Sequence, residues 1–400
     1  MTTDDSAGLR ILLAVTVPIT VRTVLRGQPT FLASRGHEVH IATSKGEAFA
    51  EAHSDARVAE RHVVPFSRRL FDPVADLRAM IAILRLLRRS RPDVVVAGTP
   101  KAGLISMLAA RTLGVPRIYV LHGLRLEGAS GLTFRLMRSA EKLACSLADC
   151  VAVVGGQLLE KSRELGVVSV EKSFVLGSGS ASGIDMRRFR PVGANDRAKM
   201  REDAGVPTDS FVVGFVGRLT PDKGLAAIVQ AWPVVLSRVP GARLVVVGGI
   251  DATGAMEDSL VKTLDELPHV VRLGEVPDPE RTLPILDLLV LPSKREGLPT
   301  VVLEAAACGI PAVMTDVTGA RDAIVDGETG LIVPLGTTAR LASAVVELAD
   351  EDTRTRMGVA ARTRVRQHFT QTDVCRRYAE LYEYVARSQR ANPQIEGGSR

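Results

Sequence analysis

The chain has 400 residues, 46% apolar, 4% aromatic and 24% charged, with a net charge of +6. This composition excludes a disordered or collagen-like chain, and the length points to two or three domains rather than one small core. No apolar run approaches the roughly 18 to 20 residues of a membrane span. Four cysteines (Cys145, Cys150, Cys308, Cys375) without CxxC or CxxxH spacing read as reduced thiols in a cytoplasmic protein, with neither a metal nor a disulfide framework.

In chain order, "MTTDDSAGLRILLAV" opens acidic before a short apolar run, the reverse of a secretory leader. The runs "RILLAV" (10–15), "EVHIAT" (38–43), "DVVVAG" (93–98), "RIYVLH" (117–122), "CVAVVG" (150–155) and "SFVLG" (173–177) predict strands, most of them separated by helix-period segments. Val-rich runs alternating with helices signal a parallel sheet covered on both faces. Between two of them, "DPVADLRAMIAILRLLRR" (72–89) carries Val74, Leu77, Ile81 and Leu84 along one face and Arg78, Arg85, Arg88 and Arg89 elsewhere. Such a basic amphipathic helix suits either an anionic membrane or packing on a sheet. Residues 1–185 hold 24 Lys/Arg against 17 Asp/Glu, while residues 186–400 hold 27 against 28. The basic half suits an anionic partner such as lipid phosphate, or a solvated surface. With few aromatics and no RNP-like or zinc-finger motif, nucleic-acid binding is not expected.

"GSGSASGIDMRRFRPVGAND" (177–196) is rich in Gly and Ser and lacks apolar periodicity, so it is expected to link two domains. Its Gly177-x-Gly179 with Gly183 superficially matches a dinucleotide fingerprint, but "IDMRRFRP" is no helix start, and a redox cofactor is not expected. A second series of strands follows: "FVVGFVG" (211–217), "RLVVVGG" (243–249), "VVRLG" (270–274), "LLVLPS" (288–293), "PAVMT" (311–315) and "GLIVP" (330–334). The expected architecture is α/β, two Rossmann-like doubly wound domains facing across a cleft, with ligands at strand C-terminal ends. The domains are placed at 1–185 and 186–370. A helix from 371, which could return to the N-terminal domain, leads into a tail from 390 expected to fray.

Two strand-end segments of the second half hold charge where it is uncommon. In "FVGRLTPDKGLAAIVQAW" (215–232), Arg218 and Lys223 sit in a loop between a buried strand and a helix expected near Gly224, with Pro221 and Asp222 as turn and cap signals. Two cations at a helix N-terminus suit a diphosphate, and also suit solvent. In "LLVLPSKREGLPTVVLEAAACGIPAV" (288–313), Glu296 falls in a loop, Pro299 is expected at the first helical position, and Glu304 lies about a turn and a half beyond it. Carboxylates match hydroxyl pairs, so a ribose and a hexose are plausible ligands. Glu304 is flanked by "VVL" and "AAAC", where a glutamate without a partner is costly.

These segments, with "DVTGARDAIVDGETGLIVP" (316–334), resemble the C-terminal domain of a GT-B-fold glycosyltransferase of family 4, and the likeness covers nearly the whole chain. Its most specific element is Glu296-x7-Glu304. The resemblance implies that Gly217, Arg218 and Lys223 serve the donor diphosphate, and that Glu296 meets hydroxyls of the transferred sugar. Glu304 would meet the ribose, Gly297 and Leu298 would offer backbone N–H groups, and the backbone around Glu275 and Val276 would meet the base. "GTPKAGLISMLAARTLGVPRIYVLHGLRLE" (98–127) and "VLGSGSASGIDMRRFRP" (175–191) resemble members that build bacterial surface polysaccharides on a polyprenyl carrier. By that likeness His122 sits near the transferred sugar. Lys101, expected in a loop, is open to two readings, an anionic acceptor group or solvent. "VTVPITVRTVLRGQ" departs from the glycine pair that many relatives carry after the first strand, so no residue is assigned there.

The function so implied is a retaining, metal-independent transfer of a hexose from a nucleotide sugar, most plausibly UDP-linked, to a lipid-linked sugar at the inner membrane face. His122, Arg218, Lys223 and Glu296 would be its catalytic group, and Lys101 and His122 would serve the acceptor. No cofactor is expected beyond the donor substrate. The alternatives are a soluble small-molecule or natural-product acceptor, a nucleotide-sugar epimerase, and an idle nucleotide-sugar binding module. No metal site is expected, because the only Asp-x-Asp, Asp350-Glu351-Asp352, reads as a helix-capping cluster.

Overall fold

The computed structural model describes residues 8–46, 60–67, 69, 72–250 and 258–390. The chain packs as two units, Met1–Gly183 with Gln371–Arg400, and Ile184–Thr370. The frayed tail expected from 390 falls, beyond that residue, outside the described residues.

In the first unit, the strands are β1 (Arg10–Ala14), β2 (Glu38–Thr43), β3 (Glu60–Val63), β4 (Val94–Ala97), β5 (Arg117–Leu121), β6 (Cys150–Val153) and β7 (Ser173–Val175). They form one parallel sheet in the order β3-β2-β1-β4-β5-β6-β7. The second unit contains β8 (Val212–Val216), β9 (Arg243–Val247), β10 (Val270–Gly274), β11 (Leu288–Leu291), β12 (Ala312–Thr315) and β13 (Gly330–Val333). These strands are also parallel, in the order β10-β9-β8-β11-β12-β13. Central strands such as Val94–Ala97 and Leu288–Leu291 are buried along their whole length, as strands covered on both faces must be.

β3 was not expected. Its sequence, "ERHV", has no apolar run, because it is an edge strand with charged and half-exposed side chains. The helix Pro73–Ser90 also departs from expectation. It buries Ala79, Ile83, Leu86 and Leu87 and turns Val74, Leu77 and Ile81 outward, so the apolar face read from the sequence is not the one that packs.

The chain passes from the first unit to the second inside the Gly/Ser-rich stretch, which is no loose tether. Ser180 donates its N–H to Val154 O at 2.8 Å, while Ile184 donates to Phe369 O at 2.7 Å. Ile184 and Phe189 are buried in the second unit's core. The return crossing leads into the helix Gln371–Arg390, which packs on the first unit and buries Val374, Cys375, Tyr378 and Tyr382. Tyr378 Oη donates to Ser180 O at 3.1 Å, and Gln371 Nε2 to Arg26 O at 3.0 Å. Asp350 caps the helix Glu351–His368, accepting from Thr353 N at 2.9 Å.

Candidate active site

In the second sheet the strand order reverses between β8 and β11, the place where doubly wound sheets open a crevice at their C-terminal ends. Both charged segments read from the sequence emerge there. After β8 the chain bends through Gly217 and Arg218, makes a short 3-10 turn (Pro221–Lys223) and enters the helix Leu225–Arg238. After β11 it runs through Pro292–Pro299 into the helix Thr300–Ala307. Pro299 stands as the N-cap of that helix, one residue before the first helical position where it was expected.

The two loops are bound to each other. Lys223 Nζ meets Glu296 Oε1 at 2.6 Å, with both side chains mostly buried. Arg295 meets Asp222 at 3.0 Å, and Lys294 donates its N–H to Asp222 O at 2.7 Å. Asp222 is therefore a cross-link, not the helix cap read from the sequence; Gly224, in the left-handed region, takes that position. A Cβ on Gly224 would fall 1.9 Å from Pro292 O, so only glycine permits this approach. On the other side, Thr315 Oγ1 donates to Ser293 O, and Gly319 lies so close that its Cβ would fall 2.1 Å from Gly297 O.

The neighbouring strand ends align with this pair. Gly217 donates to Val247 O at 2.9 Å, Leu219 to Gly249 O at 2.9 Å, and Gly248 to Gly274 O at 2.7 Å. Gly249 abuts the exposed Glu275, and the half-buried Val276 packs on the core. Gly217, Arg218, Lys223, Glu275, Val276, Glu296, Gly297 and Leu298 thus lie on loops at one end of one sheet. Arg218 is exposed there, and Leu298 packs inward. Glu304 sits in the helix Thr300–Ala307, partly buried. Burial, helped by the nearby Glu304 carboxylate, raises the Cys308 thiol to about 12, leaving it inert.

Lys101 and His122 belong to the first unit. Lys101 is not a loop residue: it is the second residue of the helix Pro100–Thr112, and its ammonium pairs with Asp76. His122 follows β5, pressed against Gly98, where a Cβ would fall 2.4 Å from His122 Nε2. Burial lowers its pKa to about 4, so the imidazole is neutral at physiological pH. Its Nδ1 has no hydrogen-bond partner among the described residues. Sequence reasoning missed the Asp222–Arg295 pair and Gly319, which fix the loop that carries Glu296. The glycine after "DVT" was the available signal for the latter.

Known proteins carry the same organisation. Residues 21–179 match the glycosyl transferase 4-like domain, and residues 210–351 match glycosyl transferases group 1. The capsular polysaccharide biosynthesis glycosyltransferase CapM of Staphylococcus aureus is 33% identical over 364 residues, 90% of this chain and 93% of that one. A D-inositol 3-phosphate glycosyltransferase of Actinosynnema mirum is 30% identical, covering 87% and 85%. The UDP-Gal:alpha-D-GlcNAc-diphosphoundecaprenol alpha-1,3-galactosyltransferase of Escherichia coli is 23% identical, covering 80% and 82%. Among solved structures, Anabaena Alr3699/HepE in complex with UDP-glucose superposes with a TM-score of 0.77 at 20% identity, covering 94% and 100%. Two parallel Rossmann-like sheets, both family matches and 33% identity to CapM over nine-tenths of the chain converge: the chain is a member of the GT-B glycosyltransferases, with a 4-like domain followed by a group 1 domain.

Proposed function

We propose that this enzyme transfers a hexose from a UDP-sugar to a hydroxyl of a polyprenyl-diphosphate-linked sugar, with retention and without a metal, in the assembly of a surface polysaccharide. The observation that carries this reading is the Lys223–Glu296 pair, which joins a cation and a carboxylate at the crevice between β8 and β11. The relatives' names support it: one acts in capsular polysaccharide biosynthesis, another on a diphosphoundecaprenol-linked sugar, and a structural neighbour was crystallised with UDP-glucose.

In this reading Arg218 and Lys223, with Gly217, hold the diphosphate, and Glu296 the hydroxyls of the hexose. Glu304 takes the ribose, Gly297 and Leu298 give N–H groups, and the backbone at Glu275–Val276 lies against the base. As the anomeric C–O bond breaks, negative charge grows on the departing phosphate, and fixed cations stabilise it there. The acceptor hydroxyl attacks on the same face and gives its proton to the leaving phosphate oxygen, so no protein nucleophile is needed. His122, being neutral, orients the sugar by hydrogen bonding rather than by charge. Lys101 reaches an anionic acceptor group only by sharing Asp76.

A panel of nucleotide sugars scored by thermal shift tests the donor half. A UDP-sugar at about a hundred times its Kd should add about 2.7 kcal/mol of stability. No stabilisation by any nucleotide sugar would overturn the reading. UDP release is then compared with lipid-extract acceptors and with soluble ones. The 30% identity to an enzyme named for D-inositol 3-phosphate favours a soluble acceptor as the second reading.

Contact with an anionic membrane at the cytoplasmic face belongs to the same proposal. The helix Pro73–Ser90 exposes Val74, Leu77 and Ile81 beside Arg78 and Arg85. The helix Gly131–Leu147 exposes Leu132, Leu136 and Leu143 beside Arg135 and Lys142, and Pro100–Thr112 packs against both helices. Among the described residues, no helix is long and apolar enough to cross a membrane. Flotation with phosphatidylglycerol vesicles should recover the chain, and Leu77→Ser with Leu136→Ser should lower recovery several-fold. Equal recovery with neutral vesicles, or none with either, removes the membrane from the reading.

A further inference from the structure

The edge of the first sheet carries a cluster that the transferase chemistry does not use. Two Glu-x-His triplets, Glu38-Val39-His40 on β2 and Glu60-Arg61-His62 on β3, lie side by side, with His40 opposite Glu60 and Ala42 opposite His62. Alternate residues of a strand share a face, so all four side chains can meet on one side of the sheet. Three of their atoms form a small triangle. His40 Nδ1 lies 3.2 Å from His62 Nε2, His62 Nε2 lies 3.4 Å from Glu60 Oε2, and His40 Nδ1 lies 3.8 Å from Glu60 Oε2. A zinc-class ion with tetrahedral bonds of about 2.0–2.2 Å holds its ligands about 3.4 Å apart.

A second observation points the same way. The far nitrogen of His40, Nε2, lies 2.9 Å from Glu38 Oε1. A carboxylate behind a histidine accepts a hydrogen bond from that nitrogen's N–H, which fixes the tautomer and turns the other nitrogen's lone pair toward an ion. We propose that His40, His62 and Glu60 bind one divalent transition-metal ion of the zinc class, with Glu38 positioning His40 from behind. His40 is buried, His62 partly buried and Glu60 exposed, which leaves the fourth coordination position on the solvent side for water. Ahead of binding, His62 Nε2–H donates to His40 Nδ1; on binding, His62 moves its proton to Nδ1 and no net proton is lost. Glu38 and Glu60 bring two carboxylates to the cluster. The ion ties the short, polar strand β3 to β2. It serves as a clamp within the first unit.

The test uses the full chain without a polyhistidine tag, stripped with a chelator and titrated with Zn²⁺ against a chromophoric chelator. About one ion should bind per chain, and Co²⁺ in its place should give the intense visible absorption of a four-coordinate site. Glu38→Gln should weaken binding by about 10- to 100-fold, as loss of a carboxylate behind a ligating histidine does. His62→Ala should abolish it, with circular dichroism in chelator confirming that the variant is folded; if it is not, the near-isosteric Glu60→Gln serves in its place. The proposal fails if the wild-type chain binds no stoichiometric ion, or if a folded His62→Ala or Glu60→Gln binds as tightly as the wild type.

Discussion

Glu296→Ala is expected to lower turnover by about a hundredfold or more while UDP binds as well as before or better, whereas Lys223→Ala weakens UDP binding and turnover together. The asymmetry follows from their ion pair, 2.6 Å long and mostly buried. In the ligand-free chain the glutamate neutralises the lysine. Removing Glu296 frees the ammonium for a diphosphate but takes away a contact to the sugar. Removing Lys223 leaves a half-buried carboxylate facing an arriving dianion, which adds repulsion to the lost attraction. Loss of one preorganised donor to a developing oxyanion costs about 10²–10³ in kcat, so Lys223→Ala falls well outside the noise of a UDP-release assay. Calorimetric titration with UDP separates them. Wild-type rates in both variants would remove these residues from the site, and weakened UDP binding in Glu296→Ala would remove the sugar-side role of the glutamate.

The largest loss of stability is expected at Asp287, not in the site. Its carboxylate accepts from Arg197 at 2.6 Å, from Arg201 at 2.7 Å and from the N–H of Val212, the first residue of β8, at 2.7 Å. Arg201 is itself buried and also donates to Ile285 O, Thr208 O and Ser210 O. Burial lowers the pKa of its guanidinium, opposed by Asp287. Asp287→Ala strands a buried cation and an N–H at the start of the central strand, a change that costs about 3–5 kcal/mol in comparable pairs. The chain has one tryptophan, Trp232, buried in the core of this same unit, so its fluorescence follows the unfolding of that unit in urea. An unchanged midpoint in Asp287→Ala would show that the network contributes nothing. Asp287→Asn, which keeps an acceptor for Val212, should cost less.

Much of this architecture is legible in the sequence because buried parallel strands are written as runs of Val, Leu and Ile. β4, β9 and β11 stand out for that reason. β3 does not, since an edge strand has no need of such a run and carries Glu, Arg and His instead. The helix Pro73–Ser90 misleads for a related reason. Its packing face is Ala79, Ile83, Leu86 and Leu87, while a second apolar stripe faces outward, and periodicity alone does not rank the two. The two charged loops after β8 and β11 are legible as positions, because a strand end followed by glycine, proline and charge marks a strand-to-helix loop. Their partners are not. Lys223 and Glu296 stand 73 residues apart, and nothing local to either names the other. Lys101 reads as a loop cation until Asp76, on the preceding helix, is seen to hold it.

The two crossings at Gly183–Ile184 and Thr370–Gln371 set an order of events during synthesis. The second unit is one continuous stretch and has all its strands when Thr370 leaves the ribosome. The first is interrupted: its sheet is made early, but the helix that buries Tyr378 and Tyr382 against it is translated only after the whole second unit. Until then the nascent sheet has an uncovered apolar seat. The same layout dictates how chimaeras must be cut. Exchanging the second unit between relatives means replacing an internal cassette at two junctions, because a single-junction fusion would pair one protein's sheet with another's closing helix.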